Sequence, residues 1–306
     1  MKPKRYPSDL TRTQWKRLKR LLPPAKPGGR PRSVKLRDVL NGIFYILRGG
    51  CAWRMMPHDL PPWSTCYDYF RKWRNDGTWA KINEALRTRI RHRAGKKASP
   101  SMGIIDTQSV KTTEQGGPRG KDPFKKVNGR KRHLVVDTLG MVLAAVVHSA
   151  GIQDRDGAKL VLAKLVGRFP RLKKILADGI YNGDIAEWAQ KVGGWIWELV
   201  VRDPDEPEEE KKKFKPLKWR WIVERTFAWV THNRRMSRDY EGSEESSESW
   251  IYLAMIHLML RRLDPAYDIP FFRRYAIVMK RWRFFRRSPP TPGVRERTEG
   301  PFQHPG

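Results

Sequence analysis

Three carboxylates in this sequence have the residue types and positions that metal-dependent chemistry needs. Asp106 and Asp178 each follow a short apolar run typical of a strand, and Glu224 lies within an apolar helical stretch. Strands that end at one edge of a sheet bring their terminal side chains together, and a helix packed there can supply a third. Clustered carboxylates form the hard oxygen site that Mg²⁺ or Mn²⁺ prefers. Two such ions, about 3.5–4 Å apart, activate a water or hydroxyl for attack on a phosphodiester.

Each of these acids also has a structural interpretation. Asp106 fits a turn after a strand, and Asp178 precedes Gly179 in a pair that favours turns. Glu224 lies four residues after Arg220, which is the spacing of a helical ion pair. An acid among the apolar neighbours of Glu224 nevertheless needs a partner charge, a metal or an exposed face. Taken singly, these alternatives stay open.

Other polar residues compete for a role in the site. Asp137 precedes a turn, whereas Asp154 and Asp156 open a helix, where the helix dipole favours anions. We interpret these three acids as structural. His133 and His148 flank a hairpin, and both structural and DNA-contact roles fit them.

The elements that must position the acids are predicted from the periodicity of residues 98–265. Their order is β-β-β-α-β-α-β-α, which indicates an α/β fold with a mixed sheet flanked by helices. Asp137-Thr-Leu-Gly140 is the turn of a strand–turn–strand hairpin. A helix predicted from about Leu217 to Asn233 carries Glu224.

Residues 1–97 have the pattern of an all-α, helix-turn-helix-like DNA-binding domain. Four amphipathic helices are predicted, with basic residues on their outer faces and a basic loop, Lys26–Arg32, between the first two. The third helix presents Arg71, Lys72 and Arg74 on such a face. A helical bundle with a solvated basic face is the alternative.

The charge of the chain limits its function. The 306 residues contain 63 Lys+Arg and 32 Asp+Glu, a formal net charge of +31. Such self-repulsion argues against an enzyme of small metabolites and for a polyanionic partner, above all nucleic acid. Residues 1–97 carry +19, whereas residues 98–265 and the extension 266–306 carry +6 each. We therefore expect a basic helical domain, a catalytic domain and a basic, loosely ordered C-terminal extension.

The remaining composition places the chain inside the cell. Cys51 and Cys66 lack partners at metal-ligand spacing, so two reduced, buried thiols are expected. The N-terminus lacks the apolar stretch of a signal peptide. The longest apolar run, 250–260, is shorter than the about 20 residues that a bilayer requires. We expect a soluble, cytoplasmic protein.

Many short motifs, taken together over about residues 6–263, resemble DDE transposases of bacterial insertion sequences, in the group named after insertion sequence 5. Segments similar to the DNA-binding region of that group are Gly28-Gly-Arg-Pro-Arg32, Asn41-Gly-Ile-Phe-Tyr45, Gly50-Cys-Ala-Trp-Arg54 and Trp63-Ser-Thr65. Segments similar to its catalytic region are Asp106-Thr-Gln-Ser109, Gly129-Arg-Lys-Arg-His133, Asp137-Thr-Leu-Gly140, Asp154-Arg-Asp-Gly157, Ala177-Asp-Gly179 and Val223-Glu-Arg-Thr-Phe227.

The resemblance implies an RNase H-like catalytic fold in which Asp106, Asp178 and Glu224 bind two Mg²⁺ or Mn²⁺ ions. It also implies binding to the terminal inverted repeats of an element, cleavage and strand transfer on double-stranded DNA, and a homodimer or larger assembly. The residues expected to contact DNA are Arg30, Arg32, Arg71, Lys72, Arg74, Arg130, Lys131, Arg132, Arg220 and Arg235.

The sequence departs from the wider family pattern beside Glu224. The Tyr, Arg, Glu and Lys of that pattern fall on Leu217, Arg220, Glu224 and Thr231, so the first and last differ. Arg234 or Arg235, one turn later, is expected to replace the lysine as a phosphate contact. A catalytically impaired, DNA-binding repressor and an RNase H-like nuclease without strand transfer are the alternative functions.

Overall fold

The computed structural model describes residues 5–25, 28, 32–201 and 219–264, and the described residues up to Asp264 form one compact unit. Arg30, Leu217 and the extension 266–306 lie outside the described residues. The helices are α1 Arg12–Lys19, α2 Leu36–Gly49, α3 Trp63–Asn75, α4 Thr78–Arg93, α5 Asp154–Ala163, α6 Ile185–Gly193, α7 Trp221–Thr231 and α8 Glu244–Leu263. The strands are β1 Met102–Lys111, β2 Gly120–Asp122, β3 Val127–Asp137, β4 Val142–Ser149, β5 Lys174–Asp178 and β6 Ile196–Val200.

The strands of the described residues form one mixed sheet, as the sequence predicted. Its order is β4-β3-β1-β5-β6, and the short β2 pairs with the start of β3. β3 is antiparallel to both β1 and β4, whereas β5 is parallel to β1 and β6. The turn before β4 confirms the predicted hairpin. β1 is longer than predicted: it continues to Lys111, because five further residues pair with β3, so Asp106 lies within the strand rather than at its end.

One face of the sheet carries an apolar core. Ile105, Ile175 and Ala177 are buried there against residues of α5 and α6. Since neighbouring residues of a strand point to opposite faces, the even-numbered residues of β1 and β5 point the other way. That second face therefore receives both Asp106 and Asp178.

The N-terminal helices pack on the long helix α8. Phe70 on α3 stacks on Trp250 with ring centroids 4.6 Å apart, and Phe44 on α2 stacks on His257 at 4.9 Å. The Thr11 hydroxyl donates to the Asp264 carboxylate at 2.6 Å. The boundary predicted near residue 97 falls in the short segment between α4 and β1, within this compact unit.

Helix α4 is fixed to the sheet by a buried ion pair. Arg91 Nη1 lies 2.7 Å from Asp137 Oδ2, and the other carboxylate oxygen accepts the backbone N–H groups of Leu139 and Met141. Asp137 is fully buried. Its structural interpretation agrees with these contacts. Across the described ranges, no helix combines the length and the apolar character needed to span a membrane.

Candidate active site

The sheet register places two of the three predicted acids side by side. The β1–β5 ladder ends at the pair Ile104 and Leu176. Asp106 and Asp178 each lie two residues beyond that pair, so both side chains point to the face that those apolar residues occupy. The strands separate at this point, since Asp178 pairs on its other side with Val200 of β6. Two carboxylates thus flank the opening between neighbouring parallel strands.

Helix α7 brings Glu224 to the same face. Its Ile222 and Val223 are buried, and the Thr226 hydroxyl donates to the carbonyl of Gly140 in the β3–β4 turn at 2.9 Å. Gly140 has φ of +78°, and a Cβ there would lie 2.9 Å from the Thr226 hydroxyl oxygen. Only glycine permits this close approach. The turn therefore fixes the helix, and Glu224 lies on the exposed side of α7.

Arg220 connects the acids. Its Nη2 lies 2.7 Å from Asp178 Oδ2 and 3.7 Å from Glu224 Oε1. The guanidinium therefore occupies the space between two of the predicted ligands, and its positive charge also acts on Asp106. Within the described ranges, no three His, Cys, Asp or Glu side chains are grouped as they are around a bound metal ion. The structure thus links two of the three predicted acids, Asp178 and Glu224, through an arginine.

Asp106 is the acid whose ionisation is most affected by its surroundings. Burial raises its pKa from 3.8 to about 6, and the negative charge of Asp178 acts in the same direction. The Thr107 N–H donates to Asp106 Oδ1 at 2.7 Å, and this bond, with Arg220 and Lys125, opposes the increase. Burial makes ionisation of Asp106 unfavourable, so a cation close to the carboxylate would stabilise its ionised form.

Lys125 is brought to Asp106 by the turn after β2. Asp122 Oδ1 accepts the N–H groups of Phe124 and Lys125 at 3.0 and 3.1 Å. The Lys125 ammonium lies 3.4 Å from the carbonyl oxygen of Thr107. The side chain is otherwise exposed. A cation is thus available at the edge of the acidic site.

A buried polar chain lies behind Asp106. The Tyr181 hydroxyl bonds His133 Nε2 at 2.8 Å, and His133 Nδ1 bonds His148 Nε2 at 3.3 Å. The Nδ1–H of His148 donates to the carbonyl of Ser149 at 2.9 Å. His148 Nε2 therefore accepts from His133 Nδ1–H, and His133 Nε2 accepts from the Tyr181 hydroxyl. Burial lowers the pKa of both histidines, so both stay neutral. Both nitrogens of each ring are engaged in hydrogen bonds, so these three side chains form a structural network.

The prediction of DNA contacts for three consecutive residues of β3 does not fit the structure. Arg130, Lys131 and Arg132 are buried, and β3 is an inner strand of the sheet, between β1 and β4. Arg130 forms an ion pair with Asp239 at 3.2 Å, and Lys131 pairs with Asp154 at 2.8 Å. Arg132 donates to the backbone carbonyls of Met236 and Arg238. Their charges stabilise the fold instead of facing solvent.

Arg235 is also internal, contrary to its predicted phosphate contact. It is buried, pairs with Glu241 at 2.6 Å and donates to the carbonyl of Cys51. Its neighbour Arg234 is exposed. Of the two predicted replacements for the family lysine, only Arg234 therefore presents its charge to solvent.

Three of the remaining predicted DNA contacts lie at the surface of the described structure. Arg32, Arg71 and Lys72 are exposed, and the Arg71–Asp68 pair is a loose surface contact at 3.7 Å. Arg74 is half-buried and donates to Ser246 at the start of α8, which makes it a link between helices.

Tyr181 was not among the residues predicted from the sequence. A tyrosine two residues after an Asp-Gly pair gives no signal of its burial against a histidine from another strand.

Comparison with known families agrees with this geometry. Residues 10–83 match the family described as putative transposase of IS4/5 family, and residues 97–259 match the family described as transposase DDE domain. The second match alone covers more than half of the 306 residues. The DDE domain implies an RNase H-like fold, with which the mixed sheet described above is consistent.

Two proteins of Burkholderia cepacia are similar to parts of the chain. The uncharacterized 16.2 kDa protein of insertion element IS402 is 30% identical over 115 residues, which cover 36% of this chain and 77% of that protein. The putative transposase for insertion sequence element IS402 is 26% identical over 159 residues, which cover 49% of this chain and 74% of that protein. With the two family matches, these similarities show that the chain belongs to the DDE transposases of the IS4/5 type.

Proposed function

We propose that this enzyme binds the terminal inverted repeats of its insertion sequence, cleaves DNA there and transfers the strand ends to a target. The observation that carries the proposal is the shared position of Asp106 and Asp178 at the point where β1 and β5 separate, with Glu224 linked to Asp178 through Arg220. Two acids from neighbouring strands thus lie at one opening of the sheet, and an arginine joins one of them to an acid on a helix.

The donor set fits a divalent metal ion. DDE transposases generally use divalent metal ions, and three carboxylates offer the hard oxygen ligands that Mg²⁺ prefers. The positive charge already held between Asp178 and Glu224 indicates that this position favours a cation. We propose that Asp106, Asp178 and Glu224 hold two Mg²⁺ or Mn²⁺ ions once Arg220 has moved. Metal bound there supplies Lewis acidity for phosphodiester chemistry.

The groups of the chain itself have defined tasks in the proposed reaction. In the first step, a water oxygen attacks phosphorus at the element end, and the bond to the 3′-oxygen breaks to leave a 3′-hydroxyl. In the second step, that hydroxyl attacks a target phosphodiester and displaces the target 3′-oxygen. The carboxylates of Asp106 and Asp178 would hold the metal ions in both steps. Lys125 and Arg234 are exposed cations suited to holding phosphates.

The basic helical region is the proposed DNA-binding part. Residues 1–97 carry +19 of the net charge, and the exposed cations of α3 face solvent. We propose that this region, rather than β3, recognises the repeats. Because two ends must be cut together, we also propose that the protein acts as a homodimer or larger assembly.

The deciding experiment compares the parent with Asp178→Asn on a supercoiled plasmid that carries two element ends, with Mg²⁺ present. We expect the parent to cleave and join, and the variant to bind the ends without doing either. The matched control is Asp184→Asn, which changes an exposed acid six residues later that pairs only with Lys159 among the described residues.

Each result separates the proposal from its alternatives. Cleavage without joining by the parent identifies a nuclease. Binding without cleavage by the parent identifies a repressor. Full activity in Asp178→Asn would show that the site has been assigned to the wrong acids.

A further inference from the structure

A groove between α1 and α4 is lined by five basic side chains. Its volume is about 650 Å³, and besides Thr13 it is lined by Arg12, Lys16, Arg17, Arg20 and Arg89. Four of these cations come from α1 or its C-terminal cap, and Arg89 comes from the facing side of α4. None of them belongs to the acidic site, and none is among the individual residues named above as expected DNA contacts. This surface is called the α1–α4 groove below.

The cations of the groove have no acidic counterpart in the described structure. Within residues 5–25, 28, 32–201 and 219–264, no ion pair involves any of the five. Helix α1 also has no acid in its first turn. The Nε atom of Arg17 is shielded from solvent and has no hydrogen-bond partner in that same part of the chain. The positive charges of the groove are therefore not balanced by an acid within the described residues.

The arrangement of the charges destabilises α1 when nothing is bound. Arg12, Lys16 and Arg20 are spaced by four residues, which places like charges next to each other on one side of the helix. The helix nevertheless has a fixed position, because Leu18 and Gln14 are buried and Thr11 forms a capping box with Gln14. The scaffold thus holds repelling charges in place, as an anion-binding surface requires.

The spacing fits an extended polyanion rather than a single small anion. From Arg12 to Arg20 the rise along the helix is about 12 Å, at about 1.5 Å per residue. The phosphates of one DNA strand are spaced by about 3.4 Å along the helix axis, so this row spans several of them. Arg17 adds a further charge from α1, and Arg89 adds one from α4.

We propose that the α1–α4 groove binds the phosphate backbone of double-stranded DNA and positions it without reading its sequence. The proposal rests on the proposed function in one respect, namely that DNA is the partner. Backbone contacts fix the register of a protein on the duplex, whereas specificity comes from base edges. The groove therefore adds affinity for any duplex, and recognition of the repeats is left to other residues.

The test is the salt dependence of DNA binding, measured by fluorescence anisotropy on a duplex of unrelated sequence and on a repeat end. In the triple variant Arg12→Gln, Lys16→Gln, Arg20→Gln, we expect the slope of log affinity against log salt to become less steep by about 2 to 3. Each lost phosphate contact accounts for about 0.9 of that change. The decrease in slope should be the same for the duplex of unrelated sequence and for the repeat end.

Two controls make the result specific. The variant Arg171→Gln, Lys173→Gln, Lys191→Gln removes three exposed cations around β5 and α6, and its slope should equal that of the parent. The variant Arg12→Lys, Arg20→Lys keeps the charge and should keep the slope. The thermal unfolding temperature of the triple variant should be at least as high as that of the parent, because the substitutions remove repulsion between like charges on α1.

The outcomes also distinguish this proposal from the proposed function. An unchanged slope in the triple variant, or a parent that does not bind duplex DNA, overturns the groove proposal. If the slope falls but the parent neither cleaves nor joins, the groove proposal stands and the transposition proposal fails. If the triple variant weakens only the repeat end, the groove reads sequence, and the proposal is wrong on that point.

Discussion

The guanidinium of Arg220 lies between two acids of the candidate site, with Nη2 2.7 Å from Asp178 Oδ2 and 3.7 Å from Glu224 Oε1. A cation of the protein thus occupies the position that the proposed metal ions require. The arginine and a metal ion therefore compete for the same carboxylates. This competition has a measurable consequence for stability.

Arg220→Gln should destabilise the metal-free protein. Without the guanidinium, Asp178 faces Asp106 and Glu224 uncompensated, and we expect the free energy of unfolding to fall by about 1 kcal/mol. Added Mg²⁺ should remove most of the difference, since it supplies the missing charge. Urea unfolding with EDTA and with Mg²⁺ measures both values. Lys159→Gln, which breaks the exposed pair with Asp184, should show no such dependence on Mg²⁺.

The elevated pKa of Asp106 predicts how stability depends on pH. Burial raises that pKa from 3.8 to about 6, so the folded state holds the proton more tightly than the unfolded chain. The resulting stabilisation is complete below about pH 4 and is lost as pH rises through 6. Above that range, the ionised carboxylate costs the metal-free protein roughly 3 kcal/mol, since one pKa unit corresponds to about 1.4 kcal/mol.

Asp106→Asn removes this titration. We therefore expect the variant to gain free energy of unfolding relative to the parent as pH rises from 4 to 7, by up to roughly 3 kcal/mol in metal-free buffer. Urea unfolding at a series of pH values measures the difference. Asp184→Asn is the control with the opposite trend, because Lys159 lowers the pKa of Asp184. A pH-independent difference for Asp106→Asn would contradict the elevated pKa.

The sequence predicted the mixed sheet and the position of Asp178 because a buried strand that ends in an acid leaves a clear pattern. It did not predict how far β1 extends. Residues 107–111 alternate less regularly, and their strand conformation depends on pairing with β3, which lies far along the chain. Hydrophobic periodicity describes one segment at a time, so it cannot reveal pairing that another segment imposes.

The same limit explains the error at Arg130 and Arg132. A run of basic residues after a loop is typical of a phosphate-binding surface. Here the run lies in β3 between two other strands, and the partners of these side chains are Asp239 and backbone carbonyls about a hundred residues away. The α1–α4 groove was not predicted either, because its cations come from two separate helices: Arg89 lies on α4 and the others on or beside α1.

Gly157→Ala should destabilise the buried histidine network. A Cβ at this position would lie 2.4 Å from His148 Nε2 and 2.7 Å from His133 Nδ1, so the two rings would have to separate. Overpacking of this kind typically costs about 1–3 kcal/mol. Urea unfolding measures the loss. Gly242→Ala is the matched control, because a Cβ there has no atom within 4 Å among the described residues, and its φ is not in the left-handed range.

Substitutions at Arg234 and Arg235 should separate effects on DNA binding from effects on stability. Arg235 is buried and pairs with Glu241 at 2.6 Å, so Arg235→Gln leaves an uncompensated buried carboxylate and should cost about 3–5 kcal/mol. Arg234 is exposed, so Arg234→Gln should change stability by less than about 0.5 kcal/mol.

The two variants should therefore give opposite patterns in paired measurements of urea unfolding and DNA affinity. Arg234→Gln should weaken binding to a repeat end and make its salt dependence less steep by about 0.9, because one phosphate contact is lost. Arg235→Gln, assayed below its unfolding temperature, should bind with the salt dependence of the parent. If Arg235→Gln changed the salt dependence while Arg234→Gln did not, the buried arginine would be the phosphate contact after all.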